Sequence, residues 1–305
     1  MSVATSVSPD FSGLWIPLVT PFHADGGIDH AALKALVAQL AASGIAGLVV
    51  CGSTGEAAAL SDAEQDEVLD AVLQTVETAA PRLRVAMGLS GYHLGHVLAR
   101  VRAFGSRPLA GVLVAAPHYI RPCQQGLLQW FTAIADASAH PLIVYDIPYR
   151  TAATLELATL RQLAAHPNIR ALKDCGADAA KTQALIADGQ LQVLAGEDAH
   201  ILATLALGGH GAIAASAHWQ PQRFVQMMRC VAEGDLPGAR RLWQALQPVA
   251  EACFAEPNPA PIKALLAAEG RMQPHLRAPM QAASSGCAAR IAALAAAQER
   301  ELSRP

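Results

Sequence analysis

The sequence predicts an α/β fold, a (β/α)8 barrel of the TIM type with a C-terminal helical appendage. Three observations support this prediction: a length of 305 residues, a hydrophobic content of 52% against 15% charged residues, and eight short apolar runs separated by amphipathic stretches. A closed α/β barrel commonly uses roughly 250 residues as one domain. Strand and helix alternating eight times favour this barrel over an open doubly wound sheet, which is the alternative.

The eight apolar runs are the predicted strands. They are continuous rather than alternating in polarity, which is typical of parallel strands covered on both faces. The runs are Leu14–Leu18, Gly47–Cys51, Arg84–Gly88, Gly111–Ala115, Leu142–Tyr145, Ile169–Lys173, Gln192–Ala195 and Gly211–Ala215.

The segments between the runs have helical signals. Asp29 is a predicted N-cap before a helical stripe of leucine and valine, and Ser61 with Glu64 forms a predicted capping box. After the eighth strand we predict four helices, of which one completes the barrel: Pro221–Glu233, Leu236–Phe254, Ala260–Glu269 and Ser285–Leu302. We therefore expect a barrel over 11–225 and a helical extension packed on it over 226–300.

Several classes of function are disfavoured by composition. A net charge of −3 gives no basic field for nucleic acid. No run approaches the ~18 apolar residues of a membrane span, and the first ten residues lack the features of a signal peptide. The six cysteines form no CxxC pair and no zinc spacing with histidine. We expect a cytoplasmic protein with reduced thiols and no metal site.

Polar residues follow three of the predicted strands. Gly52-Ser53-Thr54-Gly55-Glu56 follows the second strand, Tyr145 ends the fifth shortly before Arg150, and Lys173 ends the sixth. The active sites of such barrels lie at the carboxyl ends of the strands. We therefore expect these side chains to meet at one mouth of the barrel.

Lys173 is the most informative of them, because it closes an apolar run. Desolvation would lower its pKa, and a neutral amine can attack a ketone to form an imine. The alternative is a lysine that reaches solvent along its stem. The glycine loop could bind a carboxylate through the free amides of Ser53 and Thr54, or it could be an ordinary turn between strand and helix.

These motifs resemble a known family. The chain is similar to the pyruvate-dependent aldolases that include dihydrodipicolinate synthase and N-acetylneuraminate lyase, from about Phe11 to Pro279. The segments that carry the resemblance are residues 17–22 (PLVTPF), 52–56 (GSTGE), 145–151 (YDIPYRT) and 173–174 (KD). Residues 116–122 (APHYIRP) and 256–263 (EPNPAPIK) resemble segments of the synthases in particular.

The resemblance implies roles for individual residues. Lys173 would form a Schiff base with pyruvate, and Tyr145 would donate and accept protons. Ser53, where threonine is usual, and Tyr119 would complete a proton relay, with Tyr119 contributed across a dimer interface. Thr54 would help to hold the pyruvate carboxylate.

The resemblance also implies the substrates. Arg150 would bind the carboxylate of L-aspartate 4-semialdehyde, which condenses with pyruvate in lysine and diaminopimelate biosynthesis. Gly52, Gly55 and Ile213 would complete the substrate-binding set. No metal or organic cofactor is required, because the iminium withdraws electrons itself. The partners would be small molecules and further copies of the chain, in a homodimer or homotetramer.

Leu89 departs from the family pattern. The synthases carry a small Gly-Thr-Gly or Gly-Ala-Gly turn after the third strand, where this chain has Gly88-Leu89-Ser90-Gly91. This leaves open another 2-oxo acid lyase or dehydratase of the same family. A binding paralogue without turnover is a further alternative, which the complete set of Tyr145, Arg150 and Lys173 disfavours.

Three other departures concern regulation. Many synthases of this family bind free L-lysine at the dimer interface through an asparagine, a glutamate and an additional tyrosine. Here Tyr92, His96 and His118 stand at those positions. Because the carboxylate that would pair with the lysine ammonium is missing, the resemblance predicts weak inhibition by L-lysine.

Overall fold

The computed structural model of the protein describes residues 9–302. Eight parallel strands form a closed barrel in which each strand pairs with the next and the last pairs with the first. This confirms the predicted TIM barrel. The strands are β1 Gly13–Pro17, β2 Gly47–Val50, β3 Arg84–Leu89, β4 Gly111–Ala115, β5 Leu142–Asp146, β6 Ile169–Asp174, β7 Gln192–Ala195 and β8 Gly211–Ile213. Leu89 is thus the last residue of a strand and not part of the turn.

Two helices begin where the sequence predicts caps. Asp29 accepts a hydrogen bond from the Ala32 amide, and Ser61 and Glu64 form the reciprocal capping box. The helices within residues 9–302 are α1 His30–Ala41, α2 Asp62–Ala79, α3 Leu94–Ala103, α4 Gln124–Ala137, α5 Pro148–Thr151, α6 Leu157–Ala164, α7 Ala179–Asp188, α8 Ile201–Ala206, α9 Pro221–Ala232, α10 Leu236–Ala252, α11 Ala260–Ala268 and α12 Ser285–Leu302.

The apolar strands bury side chains on both faces. One apolar cluster fills the barrel and a larger one lies between the sheet and the helices. Phe11 and Trp15 belong to the inner cluster, and the Trp15 indole donates to the Phe11 carbonyl at 2.8 Å. A Cβ at Gly111 would come within 2.8 Å of the Phe11 ring, so glycine is required there. These rings fill the amino-terminal end of the barrel, which leaves the carboxyl end for a site.

The C-terminal extension packs on the barrel through its helices. Helix α9 is the helix of the eighth β/α unit, α10 packs on α9 and α12, and α11 packs on α12. Residue 225 lies within α9, and the division into barrel and extension stays a prediction. No helix formed by the described residues has the length and apolar character needed to cross a membrane. All six cysteines lie in the described range and are free thiols.

Candidate active site

A small cavity of about 20 Å³ lies at the carboxyl end of the barrel. The loop after β2, the ends of β5, β6 and β8, and the short helix α5 bring six of the predicted site residues to its wall. They are Ser53, Thr54, Tyr145, Arg150, Lys173 and Ile213. These residues are as much as 160 positions apart in the chain, so barrel closure is what brings them together.

A larger cavity of about 370 Å³ adjoins the small one. Ser53, Tyr145, Arg150 and Asn258 line both. Its wall also includes Leu89, which is only 6% exposed. Other lining residues are Gly52, Leu113, Ile147, Pro279 and Met280, the last two from the C-terminal extension. The position expected to hold a small turn residue therefore places an isobutyl group in the wall of this cavity.

The amine of Lys173 is buried beside the phenol ring of Tyr145. The two residues are partners in the register of β5 and β6, and the lysine Nζ lies 4.2 Å from the centroid of the tyrosine ring. Burial lowers the pKa of Lys173, and the Arg150 guanidinium acts in the same direction. Nearby acidic groups, among them Asp198, oppose the change. The neutral amine is thus more accessible than in an exposed lysine, which is what a nucleophile requires.

Tyr145 remains protonated at neutral pH. Burial raises its pKa well above 10, and the neighbouring Cys175 and Tyr149 raise it further. Arg150 and a side-chain hydrogen bond with Ser53 act in the opposite direction. A protonated phenol beside an amine whose pKa is lowered can supply a proton to an oxygen bound between them.

Cys175 follows Lys173 by two residues but is not a reactive thiolate. Burial raises its pKa well above 9, although the charge of Lys173 acts against the change. Since the thiolate is the nucleophilic form, this side chain is inert in its surroundings. Cys175 is therefore a packing residue of the inner apolar cluster.

The glycine loop after β2 turns sharply under the cavity. The amides of Gly55, Glu56 and Ala57 donate to carbonyls within the loop. Within residues 9–302, the Ser53 and Thr54 amides donate to no backbone carbonyl. Gly55 is buried and lines neither cavity, and a Cβ there would lie 2.8 Å from the Leu18 carbonyl. Its position allows the loop to pass close to β1.

Three predicted site residues, Ser53, Tyr119 and Arg150, are exposed in the single chain. Arg150 lies in the short helix α5, with its guanidinium carbon 5.8 Å from the Tyr149 ring centroid. Tyr119 is 87% exposed with φ of 74° and lines neither cavity. Ile120 beside it is 52% exposed. The Tyr119 side chain is therefore not part of its own chain's site.

Sequence reasoning missed several residues around the small cavity, including Gly196, Asp198 and Asn258. Asp198 is 3% exposed and accepts a hydrogen bond from the Ser216 amide at 2.7 Å. It follows the end of β7, so its place after a strand was an available signal. Asn258 belongs to a segment noted for its resemblance, but its contact with the loop after β2 cannot be read from local sequence.

Comparison with known proteins agrees with this geometry. The profile of the "Dihydrodipicolinate synthetase family" matches residues 10–298. A 4-hydroxy-tetrahydrodipicolinate synthase from Sorangium cellulosum is 39% identical over 285 residues, which cover 92% of this chain and 94% of the relative. One from Acidobacterium capsulatum is 38% identical over 290 residues, which cover 94% and 95%.

Solved structures give the same result. The chloride-inhibited dihydrodipicolinate synthase from Acinetobacter baumannii, complexed with pyruvate, matches with a TM-score of 0.91 and 28% sequence identity. The match covers 94% of this chain and 99% of that chain. The resemblance predicted from the motifs is confirmed over nearly the whole sequence, and the chain belongs to the dihydrodipicolinate synthetase family.

Proposed function

We propose that the protein condenses pyruvate with L-aspartate 4-semialdehyde to give 4-hydroxy-tetrahydrodipicolinate, through a Schiff base on Lys173. The observation that carries the proposal is the buried amine of Lys173, with its lowered pKa, beside the protonated phenol of Tyr145. The named relatives and their high coverage of the chain support the same reaction.

The first half of the reaction forms the enamine. The neutral amine of Lys173 attacks the ketone carbon of pyruvate to give a carbinolamine. Tyr145 protonates the leaving hydroxyl, water departs and an iminium remains. Loss of a proton from the methyl group then gives the enamine, with Ser53 relaying protons to and from Tyr145.

The second half uses the enamine as a carbon nucleophile. Its terminal carbon attacks the aldehyde carbon, a C–C bond forms, and the aldehyde oxygen takes up a proton. The amino group of the second substrate then displaces Lys173 by transimination, which closes the ring and frees the lysine. The iminium serves as the electron sink throughout, so the scheme requires no metal or organic cofactor.

Binding in this scheme uses the loop after β2 and the residues around it. Thr54 and the free loop amides, with Gly52 and Gly55 shaping the backbone, would hold the pyruvate carboxylate. Ile213 would pack against the pyruvate carbon chain. Arg150, which lines both cavities, would pair with the carboxylate of the semialdehyde.

Assembly is part of the proposal. The exposed Tyr119, next to the exposed Ile120, would enter the site of a second copy and complete the proton relay with Ser53 and Tyr145. The active unit would then be at least a dimer, with a homotetramer as the expected form. We further propose a cytoplasmic location.

The side chain of Leu89 supports a second candidate function. Because its side chain lines the larger cavity, the acceptor could be a different aldehyde, as in another 2-oxo acid lyase of the family. The imine with pyruvate is common to both candidates. A coupled assay with L-aspartate 4-semialdehyde beside a panel of other aldehydes separates them.

Reductive trapping tests the imine. Borohydride added with pyruvate should attach a pyruvate-derived group to Lys173, detected by peptide mass spectrometry. Lys173→Arg is the matched control, because it keeps the positive charge but cannot form the imine. An adduct on another lysine, or no adduct, contradicts the mechanism. The condensation rate of Lys173→Arg should fall by several orders of magnitude.

Subunit mixing tests the shared site. Tyr119→Phe and Lys173→Ala should each be strongly impaired alone. In a mixed dimer, one site has both Lys173 and the Tyr119 of the other copy, so mixing should restore activity. Failure of the mixture to recover, when exchange of subunits has been verified, or full activity of a monomer in sedimentation, contradicts the shared site.

A further inference from the structure

Asn258 connects the C-terminal extension to both cavities of the active site. It lies between α10 and α11, is 8% exposed and lines the small and the large cavity. Its side-chain NH2 group donates a hydrogen bond to Thr54 Oγ1 at 3.0 Å. Its Oδ1 is buried and accepts no hydrogen bond from the part of the chain that the structure describes. The amide nitrogen of Asn258 therefore has a hydrogen-bond partner, whereas its carbonyl oxygen has none among the described residues.

The hydrogen bond from the Asn258 NH2 group determines the direction in which the Thr54 hydroxyl can donate. A hydroxyl group has one proton to donate and accepts through its oxygen. Because the Asn258 amide already donates to Thr54 Oγ1, the hydroxyl proton points away from Asn258. The neighbouring acceptor that the proposed reaction brings is the pyruvate carboxylate, so this contact orients Thr54 as a donor to it.

The carbonyl oxygen of Asn258, Oδ1, is an acceptor that lacks a donor within residues 9–302. A buried carbonyl oxygen without a donor is costly, and such groups in a cavity wall commonly pair with a ligand. Since Asn258 also lines the larger cavity, the group that would complete Oδ1 is a donor on the second substrate. The amino group of L-aspartate 4-semialdehyde, or a hydroxyl group of another aldehyde, has this chemistry.

Buried charges fix the extension against the glycine loop. Glu56, 5% exposed, forms an ion pair with the fully buried Lys263 of α11. The same carboxylate accepts a hydrogen bond from the Arg277 amide at 3.1 Å. The Arg277 guanidinium donates to the Ala59 carbonyl at 2.9 Å and to Glu64 at 2.6 Å. The loop that carries Thr54 and the segment that carries Asn258 are thus held together on either side of their hydrogen bond.

We propose that Asn258 is a substrate-site residue contributed by the C-terminal extension. Its NH2 group positions the Thr54 hydroxyl for the pyruvate carboxylate, and its Oδ1 accepts a hydrogen bond from an amino- or hydroxy-bearing aldehyde. This inference rests on the proposed Schiff-base function and adds the residue that joins the two substrate subsites.

Two substitutions separate the two halves of the amide. Asn258→Asp removes the donor but keeps an acceptor, whereas Asn258→Ala removes both. Pyruvate binding is measured as the pyruvate concentration that half-saturates borohydride trapping on Lys173. It should rise about tenfold in both variants, the effect of about 1.4 kcal/mol. The KM for L-aspartate 4-semialdehyde should rise about tenfold in Asn258→Ala only.

A double-mutant cycle tests whether Asn258 acts through Thr54. Thr54→Val should weaken pyruvate binding alone, and adding Asn258→Ala should weaken it less than twofold further, because the contact is already lost. Independent, multiplicative effects overturn the positioning role. A semialdehyde KM that is unchanged in Asn258→Ala overturns the acceptor role.

Asn168→Ala is the matched structural control. Asn168 precedes β6 at the opposite end of the barrel and its side chain bonds three backbone carbonyls, so its loss affects folding but neither substrate site. Pyruvate and semialdehyde binding should stay unchanged in this variant. Equal losses of substrate binding in Asn168→Ala and Asn258→Ala overturn the proposal. If trapping fails in the unsubstituted enzyme, the proposed function fails instead, so the two results are distinguishable.

Discussion

His218 is a fully enclosed histidine with both ring nitrogens occupied in the neutral form. It is 1% exposed, its Nε2 accepts a hydrogen bond from the Val19 amide at 3.3 Å, and its Nδ1 lies 2.8 Å from the Ala215 carbonyl. Protonation of Nε2 would place its N–H against the N–H of Val19, so that two donors would face each other. The pKa of His218 falls from 6.5 to about 4, mainly because of burial; the Ala215 carbonyl opposes the change and the charge of Arg271 contributes to it.

This pKa makes the fold sensitive to acid. The unfolded chain binds a proton at this position below pH 6.5, but the folded chain does so only below about pH 4. The free energy of unfolding contributed by His218 is therefore constant above pH 6.5 and falls as the pH falls to about 4. One pKa unit corresponds to about 1.4 kcal/mol, so the full loss is about 3 kcal/mol.

Urea unfolding of the protein and of His218→Gln, at fixed protein concentration from pH 7.5 to 4, measures this loss. Glutamine can accept from the Val19 amide but does not titrate. The protein should lose about 3 kcal/mol more than the variant over this range. His200→Gln, which removes an exposed histidine, is the control. A constant difference between the protein and His218→Gln would refute the reasoning.

Three further outcomes are expected. Because burial lowers the pKa of Lys173, the rate of pyruvate trapping should rise with pH with a midpoint below 10.5, and a midpoint at or above that value contradicts the assignment. Glu56→Gln should lower the free energy of unfolding by about 3–5 kcal/mol in urea, because it leaves Lys263 buried without its partner; a loss below about 1 kcal/mol contradicts this. In initial-rate assays L-lysine should half-inhibit only above about 1 mM, since His96 replaces the expected carboxylate, and stronger inhibition shows that reading to be wrong.

The Asn258 variants and the borohydride trapping test different steps of the proposed reaction. Trapping asks whether Lys173 forms an imine with pyruvate at all. The Asn258 variants ask how the two substrates are held once the imine chemistry is present. The aldehyde panel asks whether Leu89 has changed the acceptor.

The sequence alone predicted the barrel and the position of Lys173 at its carboxyl end. Continuous apolar runs and helical spacing are local signals, and the observed strands begin and end within two residues of the predicted ones. Asp29 and Ser61 marked helix starts for the same reason, because a cap contacts the chain only three residues away. Lys173 was recognisable because a lysine that ends a buried strand lies where the barrel opens.

Only the tertiary structure decided which distant residues meet. Asn258 contacts Thr54 across 204 positions, and no periodicity or spacing encodes such a contact. Lys263 and Glu56 form their buried pair for the same reason, through the packing of the extension on the loop after β2. The cavity lined by Leu89 depends on the closure of the barrel as well. Local patterns fix the elements, whereas the sum of packing over the whole chain fixes the distances between their ends.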